Sequence, residues 1–123
     1  MLSDYNKQTI ELKPDPYHQS FFGATAGVPN YDLQLWDNDL IVDTDTGNVA
    51  ASVITLPYVA QCRGVRYTIH VRDINAAGIV TVQDRDDSED WTNIILYADG
   101  DQVTLESTGI KWIVVGSVIT LPL

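Results

Sequence analysis

The sequence predicts an all-β fold, an antiparallel β-sandwich or partly closed barrel carrying an extended N-terminal arm. Three observations lead there. Short runs in which apolar and polar residues alternate with a period of two recur along most of the chain, as half-buried strands require. Clusters of Gly, Asp and Asn separate these runs at regular spacing. No stretch is long enough and periodic enough to make a helix, so seven to nine short strands are expected with almost no helix.

The most regular stretch is Ser52–Arg72, SVITLPYVAQCRGVRYTIHVR. It reads as a strand, a connection turning at Gly64, and a second strand in which Tyr67, Ile69 and Val71 alternate with Thr68, His70 and Arg72. Pro57 has no amide proton for a sheet ladder, so the first strand should end there or lie at an edge. The hexamer SVITLP returns at 117–122. Its recurrence suggests two matching edge positions in one architecture, although Val, Ile, Thr and Leu are also simply what strands are made of.

Residues 1–31 keep neither period, and Pro14, Pro16, Gly23, Gly27 and Pro29 interrupt any regular element. They are expected to form the arm, with residues 32–123 as the β body. The arm nonetheless holds Tyr5, Tyr17, Phe21, Phe22 and Tyr31. Segments that remain disordered are usually poor in aromatics. Fixing each residue's backbone costs about 1–2 kcal/mol, so an ordered arm needs buried anchors, and Phe21 and Phe22 lead the candidates. These five aromatics are the expected contacts to a partner surface or neighbouring subunit, unless the arm packs on its own domain as a long loop.

Within the body, Tyr31–Asp43 should carry a short strand with Leu33 and Leu35 facing one way, closing near Asp37-Asn38. DTDTGN at 43–48 reads as a turn in which Asp and Asn side chains bond their own backbone and Gly47 takes positive φ. Asn75-Ala76-Ala77-Gly78 reads as a hairpin-type connection into Ile79–Gln83. Trp91–Tyr97, Gln102–Glu106 and Lys111–Val115 are further strands, with Val103 and Leu105 inward, and Asp99-Gly100 supplies a turn signal. Gly116 should separate the last two.

Composition narrows function. The chain has 123 residues, enough for one domain with a sizeable core, and 20% charged residues. Seventeen acidic residues against seven basic ones give a formal charge of −10, which repels phosphate backbones and anionic lipid surfaces, so neither nucleic acid nor membrane is an expected partner. No apolar run reaches the roughly 18 residues of a membrane span. The first residues lack a basic region followed by an apolar core, which predicts synthesis in the cytosol without a signal peptide. Cys62 is the single cysteine, excluding an intrachain disulfide and fitting a small packing residue.

Catalytic signatures are weak. His18 sits in the arm and His70 on a polar strand face, and neither has a sequence neighbour with which to make a catalytic pair. Asp43 and Asp45 form an incomplete calcium series, and the run DRDDSED at 84–90, five carboxylates in seven residues, reads as a solvated loop tip that keeps β edges apart, with a hard cation such as calcium held by its oxygens as the alternative. No cofactor, metal or enzymatic activity is expected. Trp36, Trp91 and Trp112, with Tyr58 and Tyr97, form either core or a stacking platform for sugar or peptide.

Four segments, VITLP, GVRYTIHV, IVTVQD and VTLESTGIKWIVV, the last holding a Gly-x-x-Trp hairpin, resemble a β module common in tailed-phage virion proteins. Head decoration (capsid cement) proteins and some fibre modules contain it. The resemblance covers residues 53–115, roughly half the chain, and rests on strand spacings without a catalytic motif. It implies a structural virion protein on the outer surface of a capsid, made in the host cytoplasm. Such a protein sits as a homotrimer on the major capsid protein and clamps neighbouring capsomers. The runner-up is a tail-fibre or receptor-binding module that recognises a host surface glycan. On the cement reading, removing residues 1–30 leaves a folded trimer that no longer binds shells.

Overall fold

The computed structural model describes residues 19–76, 78–86 and 93–120. Nine strands make up almost all of the regular structure: β1 (Ser20–Gly23), β2 (Tyr31–Asp32), β3 (Asp39–Asp43), β4 (Ala51–Thr55), β5 (Arg66–Asp73), β6 (Ile79–Gln83), β7 (Ile94–Leu96), β8 (Gln102–Ser107) and β9 (Trp112–Val118). Among the described residues a single 3₁₀ turn, Val59–Gln61, precedes β5. The all-β expectation holds.

The pairing departs from the expected antiparallel pattern. One sheet has the order β1-β3-β5-β8-β9 and the other β2-β4-β6-β7, both are mixed, and neither closes into a barrel among the described residues. From β1 to β6 the chain alternates between the sheets, so consecutive strands are not neighbours, and β1–β3, β3–β5, β2–β4 and β4–β6 pair parallel. The strand in the opposite sheet serves as the crossover that a parallel pair needs. From β6 onward the pairs are antiparallel: β6–β7, β5–β8 and β8–β9. A period of two fixes which side chains face inward but says nothing about the direction of the neighbouring strand. The connection at 75–78 therefore crosses between sheets instead of closing a hairpin, and so does the Asp99-Gly100 turn between β7 and β8.

In-register pairing stacks like positions into ladders. Phe22 lies beside Val42 and Val42 beside Val71, while Leu40 lies beside Ile69 and Ile69 beside Val103. In the other sheet Tyr31 lies beside Ile54 and Ile54 beside Val82. The buried members of both sets belong to one hydrophobic cluster that also contains Leu56, Cys62, Tyr67, Leu96, Leu105 and Trp112. Trp112 meets the Tyr67 ring edge-on, with centroids 5.7 Å apart. Val103 and Leu105 point inward as the alternation requires.

Of the segment expected as an arm, residues 1–18 lie outside the described residues. Residues 19–31 carry β1 and the first residue of β2, hydrogen-bonded into the two sheets. A truncation that leaves the five-stranded sheet whole must therefore end at residue 18, not 30. Leu33 and Leu35 do not share a face, because the chain leaves β2 after Asp32 and turns at 35–36, burying Leu33 and exposing Leu35. At the 43–48 turn it is Asn48, φ 55°, that takes the left-handed conformation, not Gly47. Gly47 is needed for space instead: a Cβ there would stand 1.9 Å from the Ala24 carbonyl oxygen.

The two copies of SVITLP do not occupy matching edges. The first forms β4, with β2 on one side and β6 on the other, and ends at Thr55 before Pro57 as expected. The second enters at the end of β9, an edge strand that runs through Gly116 without a break.

Candidate functional site

The parallel winding sorts the connections by end. Because β1, β3 and β5 run one way and β2, β4 and β6 are likewise mutually parallel, the returns from β2 to β3 and from β4 to β5 arrive at the same end of the five-stranded sheet, while the β7–β8 return reaches the other. The first of these ends holds residues 33–38 and 56–65, the start of the β6–β7 connection at 84–86, and the β8–β9 turn at 108–111. Gln19, which follows residues 1–18, enters β1 at the same end.

Hydrogen bonds tie these connections to one another. The Tyr67 hydroxyl donates to the Leu35 carbonyl at 2.9 Å and lies 3.5 Å from the Cys62 sulfur. The Val59 amide donates to Asp86 Oδ2 at 2.7 Å, and the Val59 carbonyl accepts from the Ser107 hydroxyl at 2.6 Å. The Gly64 amide donates to the Ser107 carbonyl at 2.8 Å. Asp37, almost fully buried, accepts from the Ser20 hydroxyl (2.6 Å), the Tyr31 hydroxyl (2.6 Å) and the Gln34 amide (2.8 Å). Charge-assisted bonds of this kind are among the stronger ones in proteins. Burial, then the bond to Asp37 and its charge, push the Tyr31 phenol up to about 12.

On this tied platform four apolar side chains face solvent from three of the connections: Leu35, Trp36 (65% exposed), Tyr58 and Ile110 (82% exposed). The Arg85 guanidinium lies 5.1 Å from the Tyr58 ring centroid and pairs with Asp32 at 3.2 Å. The bond to Asp32 leads in holding Arg85 protonated beyond its ordinary range. The end thus offers an apolar surface with a fixed cation at its margin.

Comparison of the chain with known protein families, curated proteins and solved structures finds no match.

The five aromatics expected to make contacts separate into three groups. Tyr5 and Tyr17 lie outside the described residues, as does His18. Phe22 is buried and stacks on Tyr31 with centroids 5.0 Å apart, so these two pack within their own chain. Phe21 points outward, 56% exposed, with the Arg72 guanidinium 5.8 Å from its centroid. Of the expected stacking residues, Trp112 is core, Trp91 lies outside the described residues, and Trp36 and Tyr58 are exposed. Trp112 heads a strand, and the sequence left it open as core or platform. Trp36 lies in a turn, where no period applies.

His70 has a spatial partner that sequence spacing hid, since its Nε2 is 3.2 Å from Asp39 Oδ1 across the β3–β5 pair. Asp43 spends its oxygens on the Asp45 amide, the Thr46 amide and the Thr46 hydroxyl. Burial alone would raise its carboxyl, but these donors and the Arg72 charge hold it below the ordinary value. Asp84 Oδ1 accepts from the Asp86 amide, the only part of the DRDDSED run among the described residues being 84–86. Among the described residues no three His, Cys, Asp or Glu side chains group so as to hold a metal ion.

A further exposed apolar surface among the described residues is β9. Past Trp112, each of its residues from Ile113 to Val118 is exposed, and it is the last strand of its sheet. Ile113 and Val118 stand opposite Glu106 and Gln102 on the outer face, and Val114 opposite the inward Leu105. A register shift at Thr104/Leu105 sets Val115 as an extra residue in the strand.

Proposed function

We propose that the chain is a structural virion protein, a capsid decoration or cement protein that binds the outside of a phage head shell as a homotrimer. In this reading the two sheets are the halves of a β-sandwich, since their buried side chains share one core. Residues 1–18 form the arm that reaches along the shell. The observation that carries the reading is the apolar end built from Leu35, Trp36, Tyr58 and Ile110, at the end where residues 1–18 join β1. Side chains held on tied loops lose little freedom on docking, which favours a permanent contact.

The mechanism is mechanical. A contact of standard size buries roughly 1,200–2,000 Å² in total, and three such contacts on one trimer combine as avidity without any new chemistry. The negative body stays clear of packaged nucleic acid by charge repulsion. Trp36 and Tyr58 also support the second reading, a fibre module that stacks a host glycan on exposed rings, with Arg85 and Asp32 available for hydroxyl groups.

Sedimentation with undecorated phage heads separates the two. On the cement reading the protein pellets with heads, Trp36→Ala and Ile110→Ser weaken binding by tenfold or more, and removal of residues 2–18 abolishes it with the β body still folded. Wild-type occupancy by the truncated protein would remove the arm from the mechanism. Binding to defined sugars that Trp36→Ala abolishes, with no binding to heads, would replace cement by the glycan reading.

A further inference from the structure

We propose that the apolar end receives an acidic segment of its partner, with a carboxylate seated on Arg63 and Arg66 and apolar side chains resting on Trp36 and Ile110. The inference deepens the cement reading, on which it rests for the partner, by naming the chemistry of the surface that this end meets. Strand order sets the arrangement. The connections at 33–38, 56–65 and 108–111 adjoin β3, β5 and the β8–β9 pair, which are successive neighbours in the five-stranded sheet. Hydrogen bonds hold them side by side: Asn38 Nδ2 donates to the Arg66 carbonyl at 3.0 Å, and the Gly64 amide to the Ser107 carbonyl at 2.8 Å. Across the end, exposed Trp36 is thus followed by exposed Arg63 and Arg66 and then by exposed Ile110.

The charge left over at this end is positive, because every described carboxylate there is already engaged. Asp37 accepts from three donors, Asp32 pairs with Arg85, Asp86 accepts from the Val59 amide, and Asp84 accepts from the Asp86 amide. Asp39 lies 3.2 Å from His70 Nε2 and accepts from Gln19 Nε2 at 3.1 Å, and Glu106 pairs with Arg66 Nε at 2.7 Å. Arg63 has no carboxylate partner among the described residues. Its stem lies along the β8–β9 turn, where a Cβ on Gly109 would stand 3.1–3.3 Å from Arg63 Cβ, Cγ and Cδ, and Gly109 has φ 91°. A glycine there leaves the stem its place, and the stem runs over the turn whose tip carries Ile110. The Arg66 fork, largely exposed, has N–H groups beyond the Nε that meets Glu106. Cations flanked by apolar side chains match a segment whose carboxylates are flanked in the same way. The formal charge of −10 does not prevent this, since charges on the body are screened beyond roughly 8 Å at physiological salt. A short segment meets the local cations alone, whereas a phosphate polymer runs on against the acidic body.

The test titrates the isotope-labelled full chain with a synthetic peptide, acetyl-Leu-Glu-Phe-Glu-Leu-amide, and with its counterpart carrying glutamine for both glutamates, following the backbone amides by NMR. Saturable shifts are expected at 35–38, 62–66 and 108–111. The acidic peptide should bind about tenfold more tightly than the neutral one, and the difference should vanish near 1 M salt, where screening acts within about 3 Å. Arg63→Gln should remove most of that preference and Arg63→Lys should keep part of it, while Arg72→Gln, at the opposite end of β5, leaves it unchanged. Equal affinity for the two peptides, shifts centred elsewhere, or no saturable shift would overturn the proposal. Inorganic phosphate shifting the same amides at the same concentration would also overturn it, by showing a site for any anion. So would a preference that emerges only in Asp87→Asn, Glu89→Gln, Asp90→Asn, since the chain's own acidic run would then be the occupant. If Arg63→Gln loses its fold, the two peptides and the salt dependence decide on the unmodified protein. The peptide result is independent of phage heads. Binding to heads that ignores salt and Arg63→Gln, with no peptide preference, removes the inference and keeps the cement reading; peptide preference without binding to heads does the reverse.

Discussion

Phe22→Ala measures whether residues 19–31 are part of the folded body. The Phe22 ring is 6% exposed, stacks on Tyr31 and lies in register with Val42 at the edge of the larger sheet. Truncating a buried Phe to Ala costs about 3–5 kcal/mol, and a site on an edge strand relaxes more than a central one, which points to about 3 kcal/mol. Unfolding entropy near 2.1 cal/mol/K per residue gives about 0.26 kcal/mol/K for 123 residues. The variant should therefore melt about 12 °C below the wild type in a circular-dichroism scan, with a matching fall in the urea midpoint. Phe21→Ala is the control. It removes an exposed ring and a contact with Arg72 worth about 0.5–1 kcal/mol, and should lower the midpoint by only about 2–4 °C. A Phe22→Ala midpoint within about 3 °C of wild type would refute the reasoning, since β1 would then be dispensable to the core.

Three further perturbations probe other parts of the frame. Gly47→Ala puts a methyl 1.9 Å from the Ala24 carbonyl oxygen, so two backbones must separate; a loss of about 1–3 kcal/mol is expected by urea denaturation. Ser52 is fully buried, and its hydroxyl has no hydrogen-bond partner among the described residues. Ser52→Ala should raise the melting temperature by about 4 °C, roughly 1 kcal/mol, and an unchanged or lower value would show that the hydroxyl is satisfied. Asp101 accepts from the Tyr97, Ala98 and Thr120 amides. Although burial pushes its carboxyl up, those donors hold it below the ordinary value, so its folded pKa is depressed. Its contribution is present above the unfolded carboxylate pKa near 3.9 and is lost as pH falls through the lower folded value. Asp101→Asn should destabilise the protein by about 1–3 kcal/mol at pH 7. The gap should narrow as acid is added, and a pH-independent gap would contradict this.

The sequence made the inward face of most strands legible and left their neighbours hidden. Tyr67, Ile69 and Val71, or Val103 and Leu105, announce themselves because period two is a local property. Direction and partner are not local. The turn signals at 75–78 and 99–100 mark a reversal of the chain but cannot say whether it returns to the same sheet, and here both cross to the other. The entry of β1 was missed because SFFG is four residues followed by small and breaking residues, with no alternation to count. The candidate end escaped for the same reason: Leu35, Trp36, Tyr58 and Ile110 sit in connections, and only the order and direction of the strands bring them to one end. For β9, a run rich in Val and Ile reads as core, and its exposure follows from its place as the last strand.

In both sheets the spatial order of strands is also their order along the chain, β1-β3-β5-β8-β9 and β2-β4-β6-β7. During synthesis each new strand therefore finds its partner already made, and the frame can assemble from one side to the other as the chain leaves the ribosome, without waiting for a distant segment. Parallel pairings are slow to form because their loops are long, and a vectorial order removes much of that search. β9 is the last of the described strands to be laid down. An apolar edge that existed earlier would expose nascent chains to one another, whereas this one is completed only when the rest of the frame is available to hold it.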